Sequence, residues 1–477
     1  MGEMSQPVRD AENAATLGVT VRGARPTRDL AALKPMISGA SLVFGGTLVW
    51  QMSNFIFNAV GAHALGPARY GVLAASLALL GFANPLLIAV QSVASREATS
   101  LVASKQLARL KPLLHYYGLR LTCSTLALGG VVAATSNWTS GLFHLGSPWP
   151  VVIVGGTIPC YLVSHLFAGL LQGVERFGRF ALQSVVEGSA KAIFAVLAMA
   201  VLWRSAVSGV AAVSVSCAIG LVTYLFLTLP LLRRDAFSST ADGTVAVFLP
   251  RPGAHRRNPA RGDPGVARYS MMALVTYGLL AFMLSSDTLV AKHYLSAHQA
   301  GLYAGISLTG KIAYFAASSL SVVAFPLFSR HHDQGLSGRK WIVGTGGLVC
   351  VIAGVIVALF EIEPAWIVIP LLGARYRAAE GYVAWMAAVF GLYSLGFLVA
   401  TYLLARKRRS LVTVLITVLI VQFAGFFSFH STITRIMAVL AVAFAVLVAG
   451  GTFLVIFGKD QETGSPAAAS PPSDLGQ

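Results

Sequence analysis

The sequence predicts an all-α polytopic membrane protein. About twelve transmembrane helices form two six-helix bundles, related by a pseudo-two-fold axis along the membrane normal. Three observations predict it. First, of 477 residues 56% are hydrophobic and only 11% charged, with a mean hydropathy of +0.72. Soluble domains carry about 25% charged residues. Second, the apolar residues form long continuous runs, where a membrane barrel would alternate apolar and polar positions. Third, the basic residues fall on every second loop. This composition excludes an ordinary soluble domain and a disordered chain. Four cysteines exclude a disulfide scaffold.

A crossing helix needs roughly 20 apolar residues. That length places spans near 36–60, 70–92, 113–135, 150–172, 180–203, 206–231, 269–291, 300–327, 340–361, 380–405, 410–430 and 433–457. Pro364 and Pro370 break the run over 341–372, which makes that stretch the hardest to divide. Residues 1–35 read as a disordered tail without a cleavable signal, and 458–477 as a second tail. The segment 232–267, rich in Pro, Gly and Arg, reads as a linker. It separates an N-terminal bundle at 36–231 from a C-terminal bundle at 268–457. The segment 93–112 reads as a basic amphipathic helix lying at the membrane interface. Cys123, Cys160, Cys217 and Cys350 each fall in a different span and read as small buried apolar residues.

The charge pattern sets sidedness. With the termini and alternate loops called side A, 26 of the 35 basic residues fall there. Side B holds six: Arg69, Arg204, Lys292, Arg375, Arg377 and Arg435. Arg120, Lys191 and Lys311 lie inside spans. The positive-inside rule puts side A in the cytoplasm. The net charge of +17 is then a topology signal beside anionic lipid, with no nucleic acid required.

An internal repeat appears at an offset of 230 residues. Leu65-Gly66-Pro67-Ala68-Arg69-Tyr70-Gly71-Val72-Leu73-Ala74 aligns with Leu295-Ser296-Ala297-His298-Gln299-Ala300-Gly301-Leu302-Tyr303-Ala304. Both stretches join the first two spans of a six-span unit on side B. Parallel repeats of this kind are a transporter architecture, with a substrate site between the halves.

Ionisable residues within spans cost about 2.5–3.5 kcal/mol each on insertion scales, so they usually face a cavity or a partner. In span 1, Gln51, Asn54 and Asn58 share a helix face, as cavity lining or as interhelical hydrogen bonding. In span 8, Ser307, Lys311, Tyr314 and Ser318 share a face. Lys311 has no acid three or four residues away. It either lines a wet cavity or pairs with an acid elsewhere in the chain. In span 5, Glu187 and Lys191 have the spacing of an i, i+4 pair. Asp287, towards the side-B end of span 7, is a candidate for ion coupling or for pairing with a neighbour. Arg120 either snorkels to side A or supports Lys311. With Glu187 paired to Lys191, the remaining charge suits an anionic substrate such as a phosphate or pyrophosphate. Retained activity in Lys311→Ala would refute the main part of that reading. No Walker loop and no metal-ligand spacing occurs, so neither a cofactor nor a metal is expected.

Several short motifs carry a resemblance. Leu65–Gly71, Ser95-Arg96-Glu97, and Leu171-Gln172-Gly173 with Arg176-Phe177 are similar to loops of the polysaccharide transporters. These are the oligosaccharide-lipid flippases of the multidrug/oligosaccharidyl-lipid/polysaccharide exporter superfamily. Asp287-Thr288-Leu289-Val290, followed by Gly301-Leu302-Tyr303-Ala304 and Phe325-Pro326, resembles their spans 7 and 8. Leu372-Gly373 and Tyr376 resemble the segment before span 10. The similarity runs over about 36–457. It implies a two-lobed transporter, not an enzyme, in a bacterial cytoplasmic membrane. Such a protein moves lipid-linked oligosaccharide outward by alternating access, with spans 1, 2, 7 and 8 around the cavity. Implied partners are membrane lipids and a polysaccharide polymerase or glycosyltransferases. The multidrug branch shares the fold, but its usual acid in the first span is replaced here by Gln51, Asn54 and Asn58. The peptidoglycan-precursor branch usually has two further spans at its C-terminal end. Two other readings are a non-transporting scaffold of a glycan assembly complex and an embedded glycosyltransferase using Glu361 or Glu363.

Overall fold

A computed structural model describes residues 27–104, 110–232, 264–333 and 339–457. The tail at 458–477, most of the other tail and of the linker, and Lys105 and Arg109 lie outside the described residues. In lipid a backbone must satisfy its own hydrogen bonds, and this chain does so with helices. The helix Thr27–Gly81 is broken at Gly66, which has φ +69°. The chain reverses there. The Tyr70 hydroxyl donates to Asn58 Oδ1 at 3.1 Å although the residues are 12 apart. In a straight helix that spacing would be about 18 Å. Residues 27–65 therefore form α1, and 67–103 form α2. The latter is interrupted by a turn at Phe82 and restarted by Asn84–Ala103 with Pro85 in its first turn.

The other crossings are α3 (Leu110–Ala134), α4 (Trp149–Gly173), α5 (Phe177–Ala195 with a π-helical turn Val196–Leu202) and α6 (Ala206–Leu232). In the second half they are α7 (Pro264–Tyr294), α8 (Ala297–Asp333), α9 (Arg339–Ile362), α10 (Glu380–Ala405), α11 (Ser410–Ser428) and α12 (Ile433–Phe457). Ten described runs are long and apolar enough to cross a membrane. The run Ser41–Val102 folds back at Gly66 and makes two crossings, and α8 completes twelve. Large apolar side chains remain exposed around the outside, such as Val343, Val351, Val355 and Leu359 on α9. That is the surface expected of a protein solvated by lipid tails.

The repeat reappears in the packing. In the first half α1 packs on α5, α2 on α4, α3 on α4, α4 on α6 and α5 on α6. In the second half α7 packs on α11, α8 on α10, α9 on α10, α10 on α12 and α11 on α12. Each pair is the earlier one advanced by six helices. The fold is the two-bundle arrangement that the sequence predicts.

Several boundaries differ from expectation. α1 starts at Thr27 and α7 at Pro264, each earlier than hydropathy places it, because helices extend past the hydrocarbon. The segment 93–103 is not a separate interfacial helix. It continues α2, because Ala94 and Ala98 are buried against Leu166 and Leu170 of α4. Over 341–380 there is one crossing, α9, then a short helix Ala365–Leu372 and a 3₁₀ turn Ala374–Ala379. Pro364 caps that short helix and Pro370 lies inside it. Cys123 and Cys350 are exposed rather than buried, since α3 and α9 pack on few neighbours; Cys217 is buried.

The halves meet on side B through the repeated glycines. A Cβ placed on Gly71 would sit 3.0 Å from the Gly301 backbone, and one on Gly301 would sit 1.7 Å from the Pro67 carbonyl oxygen. No side chain fits there without moving backbone. Overpacking of this kind costs roughly 1–3 kcal/mol or more. Gly301→Ala is expected to lower thermal stability in detergent by at least that amount. Gly344→Ala, in open space on α9, is expected to change it little.

Candidate functional site

The polar residues in the spans gather into two clusters, one in each half. In the second half, Tyr303, Ser307 and Lys311 recur every four residues on one face of α8, opposite Asp287 of α7. Ser307 Oγ donates to Asp287 Oδ2 at 2.7 Å, and the Tyr303 hydroxyl donates to the same oxygen at 3.1 Å. Thr288 Oγ1 donates to Oδ1 at 3.2 Å. Lys311 Nζ lies 3.6 Å from Oδ1. The carboxylate thus has three hydrogen-bond donors and one ion-pair partner, which compensates a charge that would otherwise be costly to bury. The two partners are not equally hidden. The Asp287 side chain is 1% exposed and that of Lys311 17%. The accessible end of this ion pair is the cation. Its ammonium also stands 5.4 Å from the centre of the Phe390 ring, a favourable cation–π distance.

Sequence reasoning placed Ser307, Lys311, Tyr314 and Ser318 on one face. Of these, Ser307 and Lys311 meet at Asp287. Tyr314 instead packs edge-on against Tyr393 and Phe397, and Ser318 donates to the Phe315 carbonyl of its own helix. The sequence reading missed Tyr303, although it is one turn before Ser307 on the same face. It also missed the buried Gln422 of α11, whose amide donates to the Met283 carbonyl and to Ser286 Oγ, both at 3.1 Å.

In the first half, Lys191 Nζ donates to Asn54 Oδ1 at 2.7 Å. Asn58 donates to the Asn54 carbonyl at 2.7 Å and accepts from Tyr70. Glu187 Oε2 accepts from Gln183 Nε2 at 2.5 Å. The i, i+4 pairing of Glu187 with Lys191 is therefore replaced. The ammonium turns across to α1, where Trp50 and Phe57 also face it. Glu187 lines a cavity of about 190 Å3 together with Trp50, Gln91, Tyr161, His165 and Gln183. Gln51 is half-buried on α1. Arg120 is not in either cluster. It is exposed on α3, which packs on α4 and not on the second half. Its guanidinium lies 3.9 Å from the Tyr116 ring centre, one turn towards side A. Among the described residues, no three His, Cys, Asp or Glu side chains come together as a metal site.

The seam between the halves is closed towards side B. Tyr70 meets Tyr376 edge-on at 6.3 Å, and deeper in the seam Phe82 stacks on Phe282 at 4.5 Å. His293 donates from Nδ1 to the Leu142 carbonyl at 2.5 Å and lies 5.7 Å from His144.

No protein-family profile and no curated protein sequence matches the chain. Solved structures do match its fold. A multidrug resistance MATE family transporter of the MOP superfamily, in an inward-facing conformation, has a TM-score of 0.63 at 11% identity. That match covers 87% of this chain and 98% of the other. An outward-facing multidrug resistance MATE family transporter has a TM-score of 0.56 at 13% identity, covering 89% and 96%. A MOP superfamily transporter from Pyrococcus furiosus, described as having a binding pocket of reversed polarity that suggests a different function, gives 0.52 at 14% identity, covering 89% and 96%.

The geometry makes Asp287 and Lys311 a coupled pair. Asp287→Ala and Lys311→Ala are each expected to lower the melting temperature of the purified protein. The double variant should lose less than the sum, with a coupling energy of about 0.5–3 kcal/mol. Asp287→Ala combined with Lys191→Met, in the other half, should be additive. A strictly additive Asp287/Lys311 cycle would show that the pair does not interact.

Proposed function

We propose that the protein is a transporter that moves a polyprenyl-(pyro)phosphate-linked oligosaccharide across a bacterial cytoplasmic membrane by alternating access. On this reading side A, with the basic loops, faces the cytoplasm, and the cargo travels towards side B during surface polysaccharide synthesis. The two six-helix halves move about the seam, and no covalent bond is made or broken. A polymerase or glycosyltransferases would work beside it.

The observation that carries the proposal is the polarity of the clusters within the spans. Asp287 is enclosed by Ser307, Tyr303, Thr288 and Lys311, and Glu187 is held by Gln183. The Asp287 carboxylate is not presented to a cationic drug, and Glu187, which lines a small cavity within the first half, is already bonded there to Gln183. The Gln51, Asn54 and Asn58 face of α1 holds no acid. Lys311 keeps the accessible end of its pair, and an ammonium there attracts a phosphate. On the Gln51 face, half-buried Gln51 would meet sugar hydroxyls, while Asn54 and Asn58 are held by Lys191 and Tyr70.

A second reading, a cation-coupled multidrug exporter, is favoured by the folds of the MATE transporters named above. It requires Asp287 or Glu187 to change partners during transport.

One experiment separates the two. In cells depleted of the protein, lipid-linked glycan intermediates are extracted and assigned to a membrane face. A completed repeat unit is expected to accumulate on the cytoplasmic face and to clear on re-expression of the wild type. Lys311→Ala should restore export about tenfold less well or worse, in line with the loss of one charged hydrogen bond. Normal intermediates with altered drug sensitivity would move the function to the multidrug reading. Normal intermediates and unchanged drug sensitivity would refute both.

A further inference from the structure

Side B is poor in cations, yet its few arginines converge. A cavity of about 400 Å3 opens between α1, the end of α5 and the segment before α10. It is lined by His63 of α1, by Val196, Ala200 and Arg204 at the end of α5, and by Arg375 of the 3₁₀ turn. No carboxylate lines it. Arg69 stands behind it and donates to the Arg204 carbonyl at 2.8 Å. His63 Nδ1 donates to the Ala59 carbonyl at 2.9 Å, so Nε2 is the nitrogen left for another partner.

The local backbone is shaped for this grouping. α5 widens into the π turn Val196–Leu202, which supplies two of the lining residues, and the chain becomes extended at Trp203 just before Arg204. π turns inside helices are rare and often mark functional positions. Gly373, at φ +94°, turns the chain into the segment that carries Arg375. A Cβ on Gly373 would lie 3.1 Å from the His63 ring, and one on Gly66 3.2 Å from the Arg375 guanidinium. His63 and Arg204 belong to the first half and Arg375 to the second. The pocket is therefore assembled across the closed seam.

We propose that this pocket is an anion site on side B that takes a phosphate-class group, and that filling it favours the side-B-closed arrangement. Two guanidiniums are permanently charged and present planar forks that match phosphate oxygens. With no acid in the lining, their mutual repulsion is relieved by an anion. Opening side B would carry Arg375 away from Arg204 and divide the site. By linkage, an anion that binds only the assembled pocket stabilises closure. The site is separate from the clusters inside the spans and stands whatever the transported cargo is. The phosphate group has two sources, a soluble anion or the headgroup of a lipid in the side-B leaflet.

The test uses the full-length protein. In detergent at constant ionic strength, inorganic pyrophosphate is titrated while the melting temperature is followed. In nanodiscs, phosphatidylglycerol is compared with phosphatidylcholine. A saturable rise with pyrophosphate, weakened at least tenfold in Arg204→Gln and in Arg375→Gln but kept in Arg435→Gln, supports a site open to soluble anions. A rise with phosphatidylglycerol alone that is lost in the same two variants supports a lipid headgroup. Arg204→Lys, which keeps the charge and loses the fork, should fall between wild type and Arg204→Gln; it serves as the reference if the glutamine variant does not fold. No stabilisation by either probe, or stabilisation indifferent to both arginines, overturns the site. For the conformational part, spin labels replace Trp203 and Ala378, exposed positions on the two halves. Pyrophosphate should shift their distance distribution towards the shorter population, and an unchanged distribution overturns the coupling to closure.

Discussion

The close approach of Gly71 to Gly301 is the constraint on which the arrangement of the two halves depends. These residues occupy equivalent places in the repeat, 230 positions apart. Each sits on the second helix of its half, just past the side-B turn. Because neither carries a side chain, α2 and α8 can cross with backbone against backbone. Around that crossing the side-B closure follows, with Tyr70 against Tyr376 and His293 on the Leu142 carbonyl, and Phe82 stacks on Phe282 deeper in the seam. Any larger residue at the crossing would push the halves apart at the place where they are most tightly joined.

Each half then holds its own first hairpin with a polar clamp. In the first half Tyr70 of α2 reaches Asn58 of α1. In the second, Tyr303 and Ser307 of α8 reach Asp287 of α7. At the repeat offset, Asn58 corresponds to Thr288, the neighbour of Asp287, so the clamps stand at matching depth. Polar side chains in a span are expensive unless satisfied, and here the satisfaction is largely internal to each half. These clamp hydrogen bonds lie within a half and do not tie one half to the other. Lys311 is the member that keeps access to its surroundings, which is why the cargo reading rests on it.

Apart from Arg120, Lys191 and Lys311 inside the spans, the cations divide into two populations. Most fall on the side-A loops and tails, where the positive-inside rule expects orienting charge. Those on side B are few, and Arg69, Arg204 and Arg375 are brought to one place by the π turn of α5 and the reversal at Gly373. A pattern that reads in sequence as mere depletion becomes, in three dimensions, a concentrated positive patch across the seam.

Whatever depends on composition and period was legible along the chain. Hydropathy located twelve crossings, since a helix in lipid must be apolar over a set length. The offset of 230 residues announced the two halves, and the i, i+4 recurrence put Ser307 and Lys311 on one face. Partners far apart along the chain were not legible. Nothing local told that the acid for Lys311 is Asp287, that Lys191 would leave Glu187 for Asn54, or that Arg120 would sit outside both clusters. Helix ends were also misjudged, as at 93–103 and 364–379, because packing against a neighbour rather than local hydropathy decides where a helix stops. Tertiary structure alone decided the ion pair and the side-B pocket. Both depend on which helices lie side by side, and hydropathy and period do not specify that.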